Sequence, residues 1–133
     1  MKKFFFVFIF IYSNLSVNAQ GIFDNIIDGT ATTLWSNKYT VSNETGYGDK
    51  EIKTRIEFGG KYVYMLVGSN YFRLKRDSKA RTGNNNIYGD YLTMVVKQEN
   101  GELLDLFLYK KSFVLIFKEK SMKFIYDLTE SVN

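Results

Sequence analysis

"KEIKTRIEFGGKYVYMLV", Lys50–Val67, places Ile52, Thr54, Ile56 and Phe58 at every second position, with Lys53, Arg55 and Glu57 between them. A period of two marks a half-buried strand, because successive side chains of an extended chain point to opposite faces. Gly59-Gly60 follows as a two-residue hairpin turn, and "KYVYMLV" supplies a return strand that is apolar on both faces. The segment therefore predicts an antiparallel hairpin, and the chain on either side repeats the pattern.

Toward the N-terminus, "TLWSNKYTV" is rich in aromatic and β-branched residues and reads as the first strand. Before it, "GIFDNIIDG" sets Ile22, Phe23, Ile26 and Ile27 on one side of one or two helical turns, stopped by Gly29. Toward the C-terminus come "NYFRLKR", "IYGDYLTMVV", "ELLDLFLY", "FVLIF" and "MKFIYDL", joined by Asn100-Gly101, by Lys110-Lys111-Ser112 and by a turn around Lys120 and Ser121. "ELLDLFLYKK" has enough leucine for a helix; the hairpin dipeptide before it and the β-like run after it favour a strand. The reading is all-β: an antiparallel meander of about eight strands with a short N-terminal helical turn. Proline is absent, which removes one means of protecting exposed strand edges. Closure into an up-and-down barrel protects them instead; a two-sheet sandwich or a half-barrel is the alternative.

In outline the helical turn, Trp35 on the first strand and the eight-strand meander resemble the lipocalins and related small barrels. Thr33 stands where that family usually has a glycine two residues before its tryptophan. The resemblance implies a barrel with Trp35 as a core plug, and it carries over no binding residue.

"MKKFFFVFIFIYSNLSVNA" has the parts of a secretory signal: Lys2 and Lys3, an apolar run from Phe4 to Tyr12, and Val17 and Ala19 before a cut. Residues 1–19 are expected to be a cleaved signal peptide and residues 20–133 a single β domain. The apolar run is about half of the roughly 20 residues that span a bilayer, so no transmembrane segment is expected in the mature chain. Localisation is accordingly secreted or periplasmic, in a bacterial envelope. Removing Lys2 and Lys3 from the 18 basic residues leaves 16 against 14 acidic ones, so bulk charge gives little reason for nucleic-acid binding.

Neither histidine nor cysteine occurs in the chain. That excludes an imidazole base, a thiolate nucleophile and the usual zinc ligands; no cofactor or metal is expected. Carboxylate chemistry of the glycosidase kind is what an enzyme would have left, with Asp90, Asp105 and Asp127 as candidates and Asp105, set between Leu103 and Phe107, the foremost.

The densest charge lies in "RLKRDSKARTGNNN", Arg73–Asn86, where the strand "NYFRLKR" runs into what reads as the longest flexible loop. In a meander this loop shares an end with Gly59-Gly60 and Lys110-Lys111-Ser112. Lys61, Arg76, Lys79, Arg81, Lys110 and Lys111 would then form a basic pole, with Glu44, Asp49, Glu99, Glu102 and Glu119 gathered toward the other end together with Lys50, Lys118 and Lys120. The expected function is a non-catalytic binding module for a small apolar or anionic ligand, with that basic rim at one mouth of the barrel. A module that dimerises or binds an envelope protein through apolar strand faces stands second, and a carboxylate-dependent glycan hydrolase third.

Overall fold

The computed structural model describes residues 19–132. The signal-peptide reading therefore falls almost wholly outside the described residues. A helix, α1 (Ala19–Ile27), is followed by ten strands: β1 (Thr32–Asn43), β2 (Gly46–Lys50), β3 (Thr54–Phe58), β4 (Tyr62–Val67), β5 (Asn70–Arg76), β6 (Arg81–Asn85), β7 (Gly89–Lys97), β8 (Leu103–Tyr109), β9 (Ser112–Phe117) and β10 (Met122–Leu128). All pairings are antiparallel, and β1–β10 pairing closes an eight-stranded barrel of β1, β3, β4, β5, β7, β8, β9 and β10. The two extra strands share edges with ring members: β2 lies along the second half of β1, and β6 along the first half of β7.

The alternation that predicted β3 determines what fills the barrel. Thr54, Ile56 and Phe58 point inward and are fully buried, as are Leu104, Leu106 and Leu108 of β8. "ELLDLFLY" is thus a strand, with its odd-numbered residues facing outward. The leucines give it helix propensity, but pairing with β7 and β9 buries one face completely and decides the conformation.

α1 and the C-terminal segment close one end. Phe23 and Ile26 enter the core with no exposed surface, and Val132 does the same from the other terminus. Gly29, at φ 82, ends the helix in a Schellman arrangement, with Gly29 N donating to Ile26 O at 3.2 Å and Thr30 N to Asn25 O at 2.9 Å. Val132 N donates to Lys110 O and Leu128 N to Lys111 O, drawing the tail over the β8–β9 turn.

Three local readings need correction. The β3–β4 connection has three residues, Gly59 to Lys61, and neither glycine has positive φ. These glycines instead give room: a Cβ on Gly29 would lie 3.4 Å from the Cα of Gly60, so the helix end and the turn meet backbone to backbone. The connection after "NYFRLKR" is no long loop: β5 ends at Arg76, as that strand was expected to, but β6 begins already at Arg81. Trp35 is no core plug: it faces outward and is 43% exposed, with the Lys53 ammonium 5.2 Å from its ring. Its neighbours Leu34 and Ser36 face inward, and a bulge between Ser36 and Lys38 then brings Tyr39 inward as well, although its spacing from Ser36 is odd.

Candidate functional site

The expected basic pole assembles only in part, and it lies at the closed end. Lys61 is exposed on the β3–β4 turn, Lys79 on the 77–80 link, and Lys110 and Lys111 on the β8–β9 turn. Arg76 binds the protein itself: its Nη1 donates to Ile26 O and to Gly59 O, both at 2.9 Å, clasping the last turn of α1 to the hairpin turn. A cation at that place also suits the negative end of the helix dipole. Partial burial lowers the guanidinium pKa from its ordinary value. Arg81 belongs to a different surface, where it lines an outer groove with Thr93, Asp105 and Lys118. Asp24 of α1, Asp28 just after it, Asp77 of the link and Glu130 of the tail add carboxylates to the end that the strand connections alone made basic. The open groove there, lined by Ile27, Gly60, Arg76, Asp77, Ser78 and Lys79, is accordingly of mixed charge.

The three candidate acids face outward on different strands. Lys118 Nζ lies 2.9 Å from Asp105 Oδ2, Asn84 Nδ2 donates to Asp90 Oδ1 at 2.8 Å, and Asp127 is exposed. Of the three, Asp105 lines the outer groove that it shares with Arg81, Thr93 and Lys118. Among the described residues no group of three or more carboxylates could hold a metal ion. No helix among the described residues is long and apolar enough to cross a membrane.

The barrel opens at the end away from α1. β5 and β7 are laddered only at Lys75↔Lys97 and Arg76↔Val96; β7 ends there and turns toward β8, so the chain parts from the remainder of β5. Behind the parting lies an apolar pocket of about 110 Å³, with Met65, Leu74, Leu104 and Leu115 as its aliphatic wall and Phe72, Phe117 and Phe124 as its aromatic one. Gln98 and Tyr126 are the polar members of the lining. Phe72 faces inward beside Met65 yet is 47% exposed, so its ring stands in the mouth. A notch of about 230 Å³, between Tyr71–Leu74 and Gln98–Asn100, leads into the pocket from the side.

Charges around this mouth are largely paired. Arg73 Nε is 3.7 Å from Glu99 Oε1 across the notch, and Lys120 Nζ is 3.5 Å from Glu102 Oε1. Glu102 is the more enclosed of the two acids, with a side chain only 10% exposed, and its Oε2 has no hydrogen-bond partner among the described residues. Tyr126, at the inner end of the pocket, is held neutral: burial raises its pKa first, and the neighbouring Tyr39 adds to the effect.

The sequence reading of "NYFRLKR" as a strand attached no function to Phe72 and Leu74, which alternation puts on one face. The available signal was a gathering of phenylalanines at strand ends that the meander brings together: Phe72 near the start of β5, Phe117 at the end of β9 and Phe124 near the start of β10. Comparison with known proteins found no matching family model, no matching curated protein and no matching solved structure.

Proposed function

We propose that the protein is a non-catalytic binding module, secreted or periplasmic, which holds an apolar group of its ligand in the pocket between Phe72, Leu104 and Phe117. The observation that carries this reading is the pocket itself: an apolar hollow in an otherwise filled barrel, at the one end that α1 and the tail leave open. Paired charges at the mouth favour an uncharged group over an anion. The basic rim is set aside as the ligand site, because Arg76 is engaged by two carbonyls and α1 fills the barrel at that end.

The test is a titration of isotope-labelled protein with benzene and, separately, with sulfate. Benzene is expected to give saturable shifts in the methyl groups of Met65, Leu74, Leu104 and Leu115, with none at Phe23 or Ile26. Saturable sulfate shifts around Lys61, Lys79 and Lys110, with no response to benzene, would overturn the reading and restore the basic pole.

A second reading rests on the outer face of β8, β9 and β10. There Phe107, Ile116 and Ile125 surround Val114 so closely that it is 7% exposed although it points away from the core. A dimer or an envelope partner using that face would appear as a concentration-dependent mass, abolished by Ile125→Lys.

A further inference from the structure

We propose that the notch beside β5 takes an extended peptide by strand addition, with one aliphatic or aromatic side chain of that peptide seated in the pocket; this rests on the pocket reading and names the ligand's class. Pocket size is the first reason. A cavity of roughly 150 Å³ lined by aliphatic and aromatic side chains holds one benzene, and pockets for drug-sized ligands run from about 300 Å³ upward. At about 110 Å³ this pocket suits a single side chain and is too small for a sterol or a long acyl chain.

The strand edge is the second reason, and it is independent of the first. β5 pairs with β4 along its whole length, Asn70↔Val67 to Lys75↔Tyr62, but on its other side the ladder to β7 holds only Lys75 and Arg76. From Tyr71 to Leu74 that second side faces the notch, with the backbone groups of Tyr71 and Arg73 turned toward it. A lipid or an aromatic molecule has no use for a row of backbone donors and acceptors, whereas a strand matches it.

Alternation joins the two features. Side chains directly opposite one another in a sheet lie on the same face. A peptide residue paired opposite Phe72 or Leu74 would point into the barrel toward Met65 and Leu104, while its neighbours pointed outward beside Tyr71 and Arg73. The Arg73–Glu99 pair spans the notch and would have to part. It is long and exposed, so its loss costs little, and the freed guanidinium would lie beside an outward-pointing peptide side chain.

The experiment titrates the labelled chain with four probes. These are an acetylated, amidated pentapeptide with leucine between two pairs of threonines, the same peptide N-methylated at leucine and at the residue after it, the same peptide with glycine at its centre, and benzene. The parent peptide should shift the amides of Tyr71–Leu74 and Gln98 saturably and slow the hydrogen exchange of Tyr71 and Arg73, whose N–H groups point away from β4 and toward the notch. Consecutive N–H groups of a strand point to opposite edges, so one of the two methyl groups removes a main-chain hydrogen bond to β5 and should weaken binding by about fivefold, and loss of the central side chain should weaken it by about tenfold or more. Equal binding of the N-methylated and parent peptides, or benzene binding with no response to the parent, would overturn strand addition and leave the apolar pocket standing. No saturable shift from either the parent peptide or benzene would overturn both.

Discussion

Replacing Arg76 by methionine separates the two roles open to this side chain, because it keeps most of the apolar stem and removes every donor. In the structure one nitrogen serves two carbonyls, Ile26 O and Gly59 O, each at 2.9 Å. Hydrogen bonds to charged groups contribute about 1.5 to 3 kcal/mol each, which would put the pair at about 3 to 6 kcal/mol if both acceptors were stranded. They are not both stranded: Ile26 O keeps the Gly29 N–H at 3.2 Å, and Arg76 is only partly buried, so water can replace part of what is lost. We expect a loss of about 2 kcal/mol, or roughly 6 to 10 °C in Tm for a domain of this size. Urea unfolding measures the global change, and amide exchange in α1 measures its location. Phe23 and Ile26 are the helix's anchors in the barrel, so their amides should exchange faster even under conditions where β8 stays protected. A methionine variant within about 0.5 kcal/mol of the parent, with α1 exchange unchanged, would refute the clasp and leave Arg76 free for a ligand.

Trp35→Ala is expected to cost under about 1 kcal/mol by urea unfolding, since an outward indole under Lys53 loses mainly an exposed cation–π contact; a loss of about 3 to 5 kcal/mol would mean a buried ring. Tyr126 gives the alkaline limit: its phenol is raised above the ordinary 10.0 in the folded state, so the unfolded chain loses this proton first and stability falls as pH rises past about 10. The slope should reach at most about 1.4 kcal/mol per pH unit from this residue. Tyr126→Phe should flatten that part of the curve in urea melts between pH 8 and 11.5, and an unchanged slope would show that the phenol does not contribute. Gly83→Ala should destabilise the β6–β7 pair by about 1 to 3 kcal/mol, because its Cβ would lie 2.5 Å from the Tyr91 hydroxyl oxygen; displaced Tyr91 and Phe107 ring resonances would report it, and an unperturbed spectrum would contradict the contact.

Legibility in the sequence followed the strength of local pattern. Ile52 to Phe58 alternates with charge, so its strand and its inner face could both be read, and the same holds for "ELLDLFLY" once its flanking turns are considered. β6 could not be read: "RTGNN" contains no apolar residue, and it is held by pairing with β7 and by Tyr91 lying over Gly83. Trp35 was misplaced because its burial was taken from the likeness in outline to small barrels; its neighbours Leu34 and Ser36 face inward, and the bulge at Ser36 and Lys38, which nothing in "WSNKY" marks, then shifts the alternation by one. The pocket escaped notice because it is a property of strand ends. Phe72, Phe117 and Phe124 are far apart in sequence, and only closure of the barrel brings them together.

The basic pole shows the same limitation for charge. Counting along a meander assigns each connection to an end, which correctly puts Lys61, Lys79, Lys110 and Lys111 on one side of the barrel. It takes no account of segments that pack across that end from elsewhere in the chain. α1 and the turn after it bring Asp24 and Asp28, and the tail brings Glu130, while the clasp engages Arg76. With exposed charges screened over about 8 Å at physiological ionic strength, a surface of alternating sign projects little field toward a ligand. The groups that close the barrel are thus the ones that offset the charge, and for both reasons the candidate site moves to the opposite mouth. There β5 outruns its ladder with β7, and an apolar hollow lies behind the gap.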